Sequence, residues 1–161
     1  MLSFVSNDHR FHLRAAALVL DDGHLLLHRA DGDRFWSLPG GRVEPGEAAA
    51  QAVCRELMEE VGEAVVADGL LAVVEYFFVH QGERQHELGL YFGVRLAAGS
   101  RLRRKDRDHA GIEGTRTLTY RWLACSELPA VDLRPSFLAP WLAAGRPGFV
   151  HVVHHDDRDD T

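Results

Sequence analysis

The stretch from Gly40 to Glu63, GGRVEPGEAAAQAVCRELMEEVGE, concentrates acidic residues on one short segment of the chain. Between Arg42 and Arg84 the only basic residue is Arg55, and it stands against a large set of acidic residues: Glu44, Glu47, Glu56, Glu59, Glu60, Glu63, Asp68, Glu75 and Glu83. Like charges three or four residues apart on a helix destabilise it by about 0.2–0.5 kcal/mol per pair. This imbalance indicates that a cation belongs to the segment.

The same segment predicts a helix with two unlike sides. At about 100° per residue, Glu56, Glu59, Glu60 and Glu63 share one side, whereas Leu57 and its apolar neighbours form a stripe that can pack against a sheet. Hard cations such as Mg²⁺ take oxygen ligands and complete their shells with water and substrate phosphates. The acidic side therefore indicates a divalent-metal site, although a solvated acidic face would show the same pattern.

A proline and two glycines precede the helix in the run Ser37-Leu38-Pro39-Gly40-Gly41. Such a backbone can turn tightly and approach a ligand without side-chain obstruction. Pro45 and Gly46 then make a second break, and Glu47 follows close to the first helical turn, where a carboxylate suits the helix dipole. We therefore treat the loop and the helix as one unit.

With these features in this order, the segment resembles the Nudix box, G-x5-E-x7-R-E-U-x-E-E-x-G-U, in which U is aliphatic. The matching positions are Gly41, Glu47, Arg55, Glu56, Leu57, Glu59, Glu60 and Gly62. Glu63 departs from the pattern, because an aliphatic residue is expected there, and this leaves the exit of the helix unpredicted. The resemblance covers roughly residues 10–153 and implies a metal-dependent hydrolase of nucleoside diphosphates linked to another group.

The resemblance also implies roles for individual residues. Glu56, oriented by Arg55, and Glu59 are the expected catalytic residues. The expected cofactor is Mg²⁺, with Mn²⁺ as a possible substitute, and its expected ligands are Glu56, Glu59, Glu60, the backbone carbonyl of Gly40, and Glu44.

A further carboxylate from outside the box completes the site in some relatives, and two positions are candidates here. Glu87 begins a strand on which alternation places it on one face with Gly89. Glu113 lies in the glycine-bounded segment Gly111-Ile112-Glu113-Gly114, which we expect to be a flexible loop. Either residue can equally be an ordinary exposed carboxylate.

Three residues are candidates for binding substrate. Arg29 can hold a phosphate, because guanidinium pairs well with phosphate oxygens. Trp36 can stack on a base, although Phe35 and Trp36 together are also typical of a core. Gly41 allows the loop backbone to come close to substrate.

A basic run, SRLRRKDRD, spans residues 100–108. It can be a mobile lid that gathers polyphosphate, a patch for RNA, or a solvated loop. The sequence does not choose among these.

Alternating apolar runs predict strands before and after the central helix. Residues 12–20 and 24–30 are joined by the hairpin signal Asp21-Asp22-Gly23, and residues 69–79 and 86–96 are joined across Gln81-Gly82. A further strand is predicted at 117–124 and a short helix, interrupted by Pro140, at 134–144. We therefore expect an α/β fold, a Nudix-like α/β/α sandwich with a mixed β-sheet between helices.

The length of 161 residues suits one domain. We expect a single Nudix hydrolase domain over residues 1–153 and a disordered acidic tail over 154–161. The chain has no apolar run long enough to span a membrane and no signal-peptide pattern, so we expect a cytoplasmic protein. The expected partner is a small-molecule nucleotide, with no membrane and no nucleic acid, and a homodimer is possible.

Two function classes remain open. The first is hydrolysis of a diphosphate linkage in a nucleotide sugar, a nucleoside polyphosphate or a similar compound, releasing a nucleoside monophosphate or phosphate product. The alternative is a non-catalytic nucleotide-binding or regulatory module with the same fold, in which box carboxylates are expected to be lost. The sequence does not identify the nucleotide.

Overall fold

Within residues 1–145 and 148–159, the computed structural model describes two mixed β-sheets and two α-helices, with side chains as far as Asp156. Short 3-10 turns lie at Arg101–Arg103 and Cys125–Ala130. The elements in chain order are β1 (Ser3–Ser6), β2 (His9–Leu18), β3 (Leu20–Asp21), β4 (His24–Ala30), β5 (Trp36–Ser37), β6 (Gly40–Arg42), α1 (Ala49–Val61), β7 (Val65–His80), β8 (Glu83–Leu96), β9 (His109–Glu113), β10 (Arg116–Ala124), β11 (Leu133–Arg134), α2 (Leu138–Ala143) and β12 (Val150–Asp159).

The strands divide into two sheets. The first has the order β1-β2-β8-β7-β12, with β6 also beside β2, and the second has the order β11-β5-β4-β10-β9, with β3 also beside β4. The pairs β2–β8, β7–β12 and β5–β11 are parallel and the remaining pairs are antiparallel. The predicted α/β class with mixed pairing is confirmed, with two sheets in place of the single sheet that we expected.

Strand β2 shows how the sequence places the core. Ala15 and Ala17 belong to one buried cluster together with Leu57 of α1, whereas Ala16 and Leu18 belong to a second cluster on the side of α2. Successive strand residues point to opposite faces, and here both faces are buried. This accounts for a run that is continuously apolar rather than alternating.

The two predicted turns form, but only one of them joins the strands as expected. Gln81 and Gly82 have φ of 50° and 76° and connect β7 to β8 over a long antiparallel ladder. Asp22 and Gly23 also turn the chain with positive φ, yet they connect only the short β3 to β4. Residues 12–18 do not pair with β4, because β2 lies in the other sheet between β1, β6 and β8.

The boundaries of the two helices correct two predictions. Helix α1 ends at Val61, and Gly62 caps it in the left-handed conformation with φ of 72°, so Glu63 lies beyond the helix. Glu47 lies just before the N-cap residue Ala48, close to the first turn as predicted. Pro140 does not interrupt α2, because it lies in the first turn, where its missing N–H has no helical acceptor to satisfy.

The C-terminal segment differs from the disordered tail that its acidic composition suggested. Strand β12 pairs in parallel with β7, and the pairing includes His154, His155 and Asp156. Asp156 accepts hydrogen bonds from the Tyr76 hydroxyl at 2.8 Å and from the backbone N–H of Ser136 at 3.0 Å. These hydrogen bonds hold a segment that composition alone cannot place. Residues 160 and 161 of the predicted tail lie outside the described residues.

No helix in the described part of the chain has the length and apolar character that crossing a bilayer would require.

Candidate active site

The backbone of strand β6 presses against helix α1 and strand β2. A Cβ atom on Gly41 would lie 2.2 Å from the carboxylate carbon of Glu56, and one on Gly40, whose φ is 148°, would lie 2.1 Å from the carbonyl oxygen of Ala15. Gly40 therefore has no room for a side chain, and a side chain at Gly41 would displace the carboxylate of Glu56. The close approach that we predicted toward a ligand is, at Gly41, an approach to the carboxylate of Glu56.

Arg55 holds three carboxylates of the box. Its Nε and Nη2 donate to the two carboxylate oxygens of Glu47 at 2.7 and 2.9 Å, and its Nη1 donates to Glu56 at 2.9 Å and to Glu59 at 3.2 Å. Nη2 also donates to the carbonyl of Arg42 at 3.2 Å. The hydrogen bonds from Arg55 lower the pKa of Glu47, so Glu47 acts as the anchor that fixes the guanidinium beside Glu56.

Glu56 and Glu59 differ in exposure. The side chain of Glu56 is 15% exposed, whereas that of Glu59 is 59% exposed. Burial raises the pKa of Glu56, and its hydrogen bond with Arg55 opposes the rise. A carboxylate with a raised pKa is a stronger base, so Glu56 has the character expected of a proton acceptor.

Glu60 points away from these two residues into the interior. It is 5% exposed and its Oε2 accepts a hydrogen bond from the Tyr120 hydroxyl, while its Oε1 is buried without a hydrogen-bond partner. Burial raises the pKa of Glu60 to about 8. His28 Nδ1 lies 3.8 Å from Glu60 Oε2, and burial lowers the pKa of His28 to about 3, so at neutral pH His28 is neutral and Glu60 is largely protonated.

A cavity of about 590 Å³ opens beside the box. Its wall includes Glu56 and Glu59 on one side, Glu87 and Tyr91 of strand β8 on another, and Arg29. Cavities of about 300–1,000 Å³ are typical of small-molecule sites. Of the predicted site residues, Gly41, Glu44, Arg55 and Glu113 also line it, whereas Gly40, Glu60 and Trp36 are not part of its wall.

Arg14 is a site residue that the sequence argument missed. It extends from β2 and donates from Nη2 to the carbonyl oxygen of Leu38 at 2.9 Å. Its positive charge lowers the pKa of both Glu56 and Glu60, against the larger effect of burial. The available signal was a single arginine inside an apolar strand run, HLRAAALVL, which indicates a charge that faces a cavity or a buried partner.

The two candidate extra carboxylates both line the cavity, in different settings. Glu87 is buried, shares the face of β8 with Gly89 as predicted, and accepts a hydrogen bond from Nε2 of His12 at 2.8 Å. Glu113 is the last residue of strand β9 and pairs with Arg116, so the predicted flexible loop is a strand end. Its charge raises the pKa of Glu60, which places it near the box.

The predicted aromatic partner for substrate, Trp36, does not reach the cavity. Trp36 is 4% exposed, belongs to the core, and is covered by the guanidinium groups of Arg29 and Arg121 at 4.6 and 5.1 Å from the ring centroid. It is therefore not available to stack on a base. Phe35 lies on the cavity wall instead, and Arg29 lines the cavity as expected.

The basic run at residues 100–108 packs against the body of the protein and does not line the cavity. Arg101 Nη2 donates to the carbonyl oxygens of Val61 at 2.8 Å and Ala110 at 3.2 Å, and its Nε lies 3.4 Å from Glu63. Arg103 donates to two further backbone carbonyls. These contacts do not support a lid. They also explain why Glu63 stands after the helix where an aliphatic residue was expected, because Glu63 is the partner of Arg101.

The NUDIX domain family model matches residues 10–144. The chain belongs to the Nudix family. A Bacillus subtilis (strain 168) protein, provisionally named an 8-oxo-dGTP diphosphatase, is 32% identical over 117 residues, which are 71% of this chain and 68% of that protein. The Escherichia coli (strain K12) CTP pyrophosphohydrolase is 41% identical over 73 residues, 42% of this chain and 49% of that protein. The crystal structure of a MutT NUDIX hydrolase from Burkholderia pseudomallei has a TM-score of 0.59 at 25% identity and covers 80% of this chain and 95% of that one.

Nudix hydrolases generally use divalent metal ions, and the donors of this Nudix domain suit such an ion in their chemistry. Among the described residues no three His, Cys, Asp or Glu side chains gather as a ready-made metal centre. Mg²⁺, however, usually takes one or two protein carboxylates and completes its shell with water and substrate phosphates. Glu56 and Glu59 provide such carboxylates at the cavity, whereas Glu60 lies behind the wall with its Oε1 buried and unpartnered.

Proposed function

We propose that this Nudix protein is a Mg²⁺-dependent hydrolase of the diphosphate linkage in a nucleoside diphosphate derivative, releasing a nucleoside monophosphate or a phosphate product. The observation that carries the proposal is the position of Glu56. Its carboxylate lies on the cavity wall, packs against the backbone of Gly41 and is held by Arg55. A basic group fixed in this way is what attack by water at phosphorus requires.

Individual residues divide the work of the reaction. Glu56 accepts the proton of the attacking water, and Arg55 keeps its carboxylate in place. Arg29 and Arg116 line the cavity and bind phosphate oxygens. Glu56, Glu59 and Glu60 would hold a divalent ion, with the Gly40 carbonyl and Glu44 as lower-ranked ligands, and the ion would supply a Lewis acid and lower the pKa of bound water. Mn²⁺ would substitute for Mg²⁺ at such oxygen ligands.

The relatives support nucleotides as substrates, since their names refer to 8-oxo-dGTP and to CTP. The rival function, a non-catalytic binding module, predicts that box carboxylates are lost. Every carboxylate of the box is present in this chain, so we favour the hydrolase.

The test is product identification on a substrate panel, with Mg²⁺ and with EDTA. The panel contains nucleoside triphosphates, nucleotide sugars, dinucleoside polyphosphates and coenzyme A. We expect a nucleoside monophosphate from at least one class, only with metal, and a loss of turnover by orders of magnitude in Glu56→Gln. A parent protein that binds nucleotides but releases no product with any metal would instead support the binding module.

A further inference from the structure

A buried hydrogen-bonded pair, His12 and Glu87, forms part of the cavity wall at a place that the proposed chemistry does not use. Glu87 and His12 are 6% and 5% exposed, and Nε2 of His12 lies 2.8 Å from Oε2 of Glu87. A carboxylate only accepts hydrogen bonds, so His12 is the donor and fixes the carboxylate. Glu87 lines the cavity, so its second oxygen, Oε1, remains available to a ligand there.

The space in front of Glu87 is kept open by a glycine. Gly89 lies two residues along β8 on the same face, and a Cβ there would lie 2.8 Å from the ring of Tyr91 and 3.5 Å from Oε1 of Glu87. Tyr91 is 2% exposed and lines the cavity. Any side chain at position 89 would fill the gap between the carboxylate and the tyrosine.

Phe78 of the neighbouring strand gives this part of the cavity an aromatic wall, because Tyr76 is 5% exposed and is also stacked by His154. Tyr76 and Phe78 of β7 stack with centroids 4.3 Å apart and planes inclined by 20°, and both line the cavity. Tyr76 and Glu87 are opposite each other in the β7–β8 ladder, so the rings and the carboxylate are adjacent. Aromatic faces together with a few fixed polar atoms are typical of sites that bind a planar base.

We propose that Glu87, positioned by His12, binds the edge of a nucleobase that presents two adjacent N–H donors, as guanine does, and thereby sets the base preference of the enzyme. This inference rests on the proposed function, since it assigns the nucleotide to the same cavity. Guanine offers N1–H and the 2-amino group to one carboxylate. Adenine and cytosine offer one amino group beside a ring nitrogen whose lone pair faces the carboxylate, and uracil offers one N–H between two carbonyl oxygens.

Binding to a catalytically silent protein tests the inference without turnover. Calorimetry with Glu56→Gln protein should show GMP binding more tightly than AMP, CMP or UMP, and IMP, which lacks the 2-amino group, binding roughly 10-fold more weakly than GMP. The double variant Glu56→Gln/Glu87→Gln keeps an acceptor for His12 and so preserves the cavity wall. In this protein all base preferences should fall to about 3-fold or less. Adding Glu75→Gln should change nothing, because Glu75 lies on the other face of the sheet, paired with His151.

The outcomes separate this inference from the proposed function. Equal binding of all five monophosphates to Glu56→Gln protein overturns the base assignment, even if the parent enzyme hydrolyses nucleotides. Selective binding of GMP that depends on Glu87 upholds it, even if no substrate is hydrolysed and the proposed function fails. If Glu87→Gln in the parent lowers turnover equally for every base and weakens the Mg²⁺-induced rise in melting temperature, Glu87 serves the metal and the inference is wrong.

Discussion

The carboxylate of Glu56 occupies the space into which a side chain on Gly41 would extend. A Cβ atom on Gly41 would lie 2.2 Å from the carboxylate carbon of Glu56 and 2.5 Å from both of its oxygens. Gly41 belongs to strand β6 and Glu56 to helix α1, so the missing side chain of one residue defines the position of the other. This relationship gives a physical reason for the first glycine of the box.

The substitution Gly41→Ala should therefore separate chemistry from stability. The atoms that clash belong to the end of a flexible side chain, so the fold accommodates the methyl group by moving Glu56. We expect little change in melting temperature and a loss in kcat of about 100-fold, which a misplacement of about 1 Å can cause. Gly99→Ala is the matched control, since nothing lies within 4 Å of a Cβ there. If Gly41→Ala keeps full activity, the catalytic position that we assign to Glu56 is wrong.

We expect metal dependence because Glu56 and Glu59 present carboxylates at the cavity wall. Mg²⁺ or Mn²⁺ should raise the melting temperature, because a ligand that binds only the folded state stabilises it by mass action, and EDTA should abolish turnover. Glu56→Gln and Glu59→Gln should each reduce the metal-induced rise, and Glu75→Gln, which is away from the cavity, should leave it intact. Unchanged activity after exhaustive chelation would contradict a metal site.

Local sequence features account for the parts of the site that could be predicted. Arg55 and Glu59 are four residues apart and Glu56 and Glu59 are three apart, so spacing alone makes each pair neighbours on the helix surface. The positive-φ turns at Asp22-Gly23 and Gln81-Gly82 are encoded in adjacent residues. Glu56 and Arg55 are therefore found where the spacing placed them.

Contacts set by strand register could not be predicted in the same way. His12 and Glu87 are 75 residues apart and meet because β2 pairs in parallel with β8 in the register that puts these two residues side by side. Arg14 reaches the box through the same strand. The inward position of Glu60 depends on Tyr120, 60 residues away in the second sheet.

Glu60 should make the metal-free protein less stable as the pH rises. The pKa of Glu60 is about 8 in the folded protein and takes the ordinary value of 4.5 in the unfolded chain. Its stabilising contribution is therefore complete below pH 4.5 and is lost as the pH rises through 8. Urea unfolding in EDTA should show this loss in the parent between pH 4.5 and 8. Glu60→Gln should not show this loss of stability, because the amide cannot ionise. The amide can also donate to the unpartnered Nδ1 of His28. If the free energy of unfolding depends on pH in the same way in both proteins, Glu60 is ionised in the folded protein and the prediction is wrong.

The arginine at the start of the basic run should act on stability and not on substrate. Removing the Arg101 side chain leaves two backbone carbonyls and Glu63 without their donor, so Arg101→Ala should lower the free energy of unfolding by about 1–3 kcal/mol. Arg107→Ala, which loses only a 3.7 Å pair with Asp106, should stay within about 0.5 kcal/mol of the parent. Neither variant should alter the ratio of specificity constants for a nucleoside tetraphosphate and a nucleotide sugar, at low or high salt. A different outcome would establish the run as a lid over the substrate. In that case Arg101→Ala would keep the stability of the parent but lose activity, chiefly on the longer phosphate chain, and salt would reduce the loss.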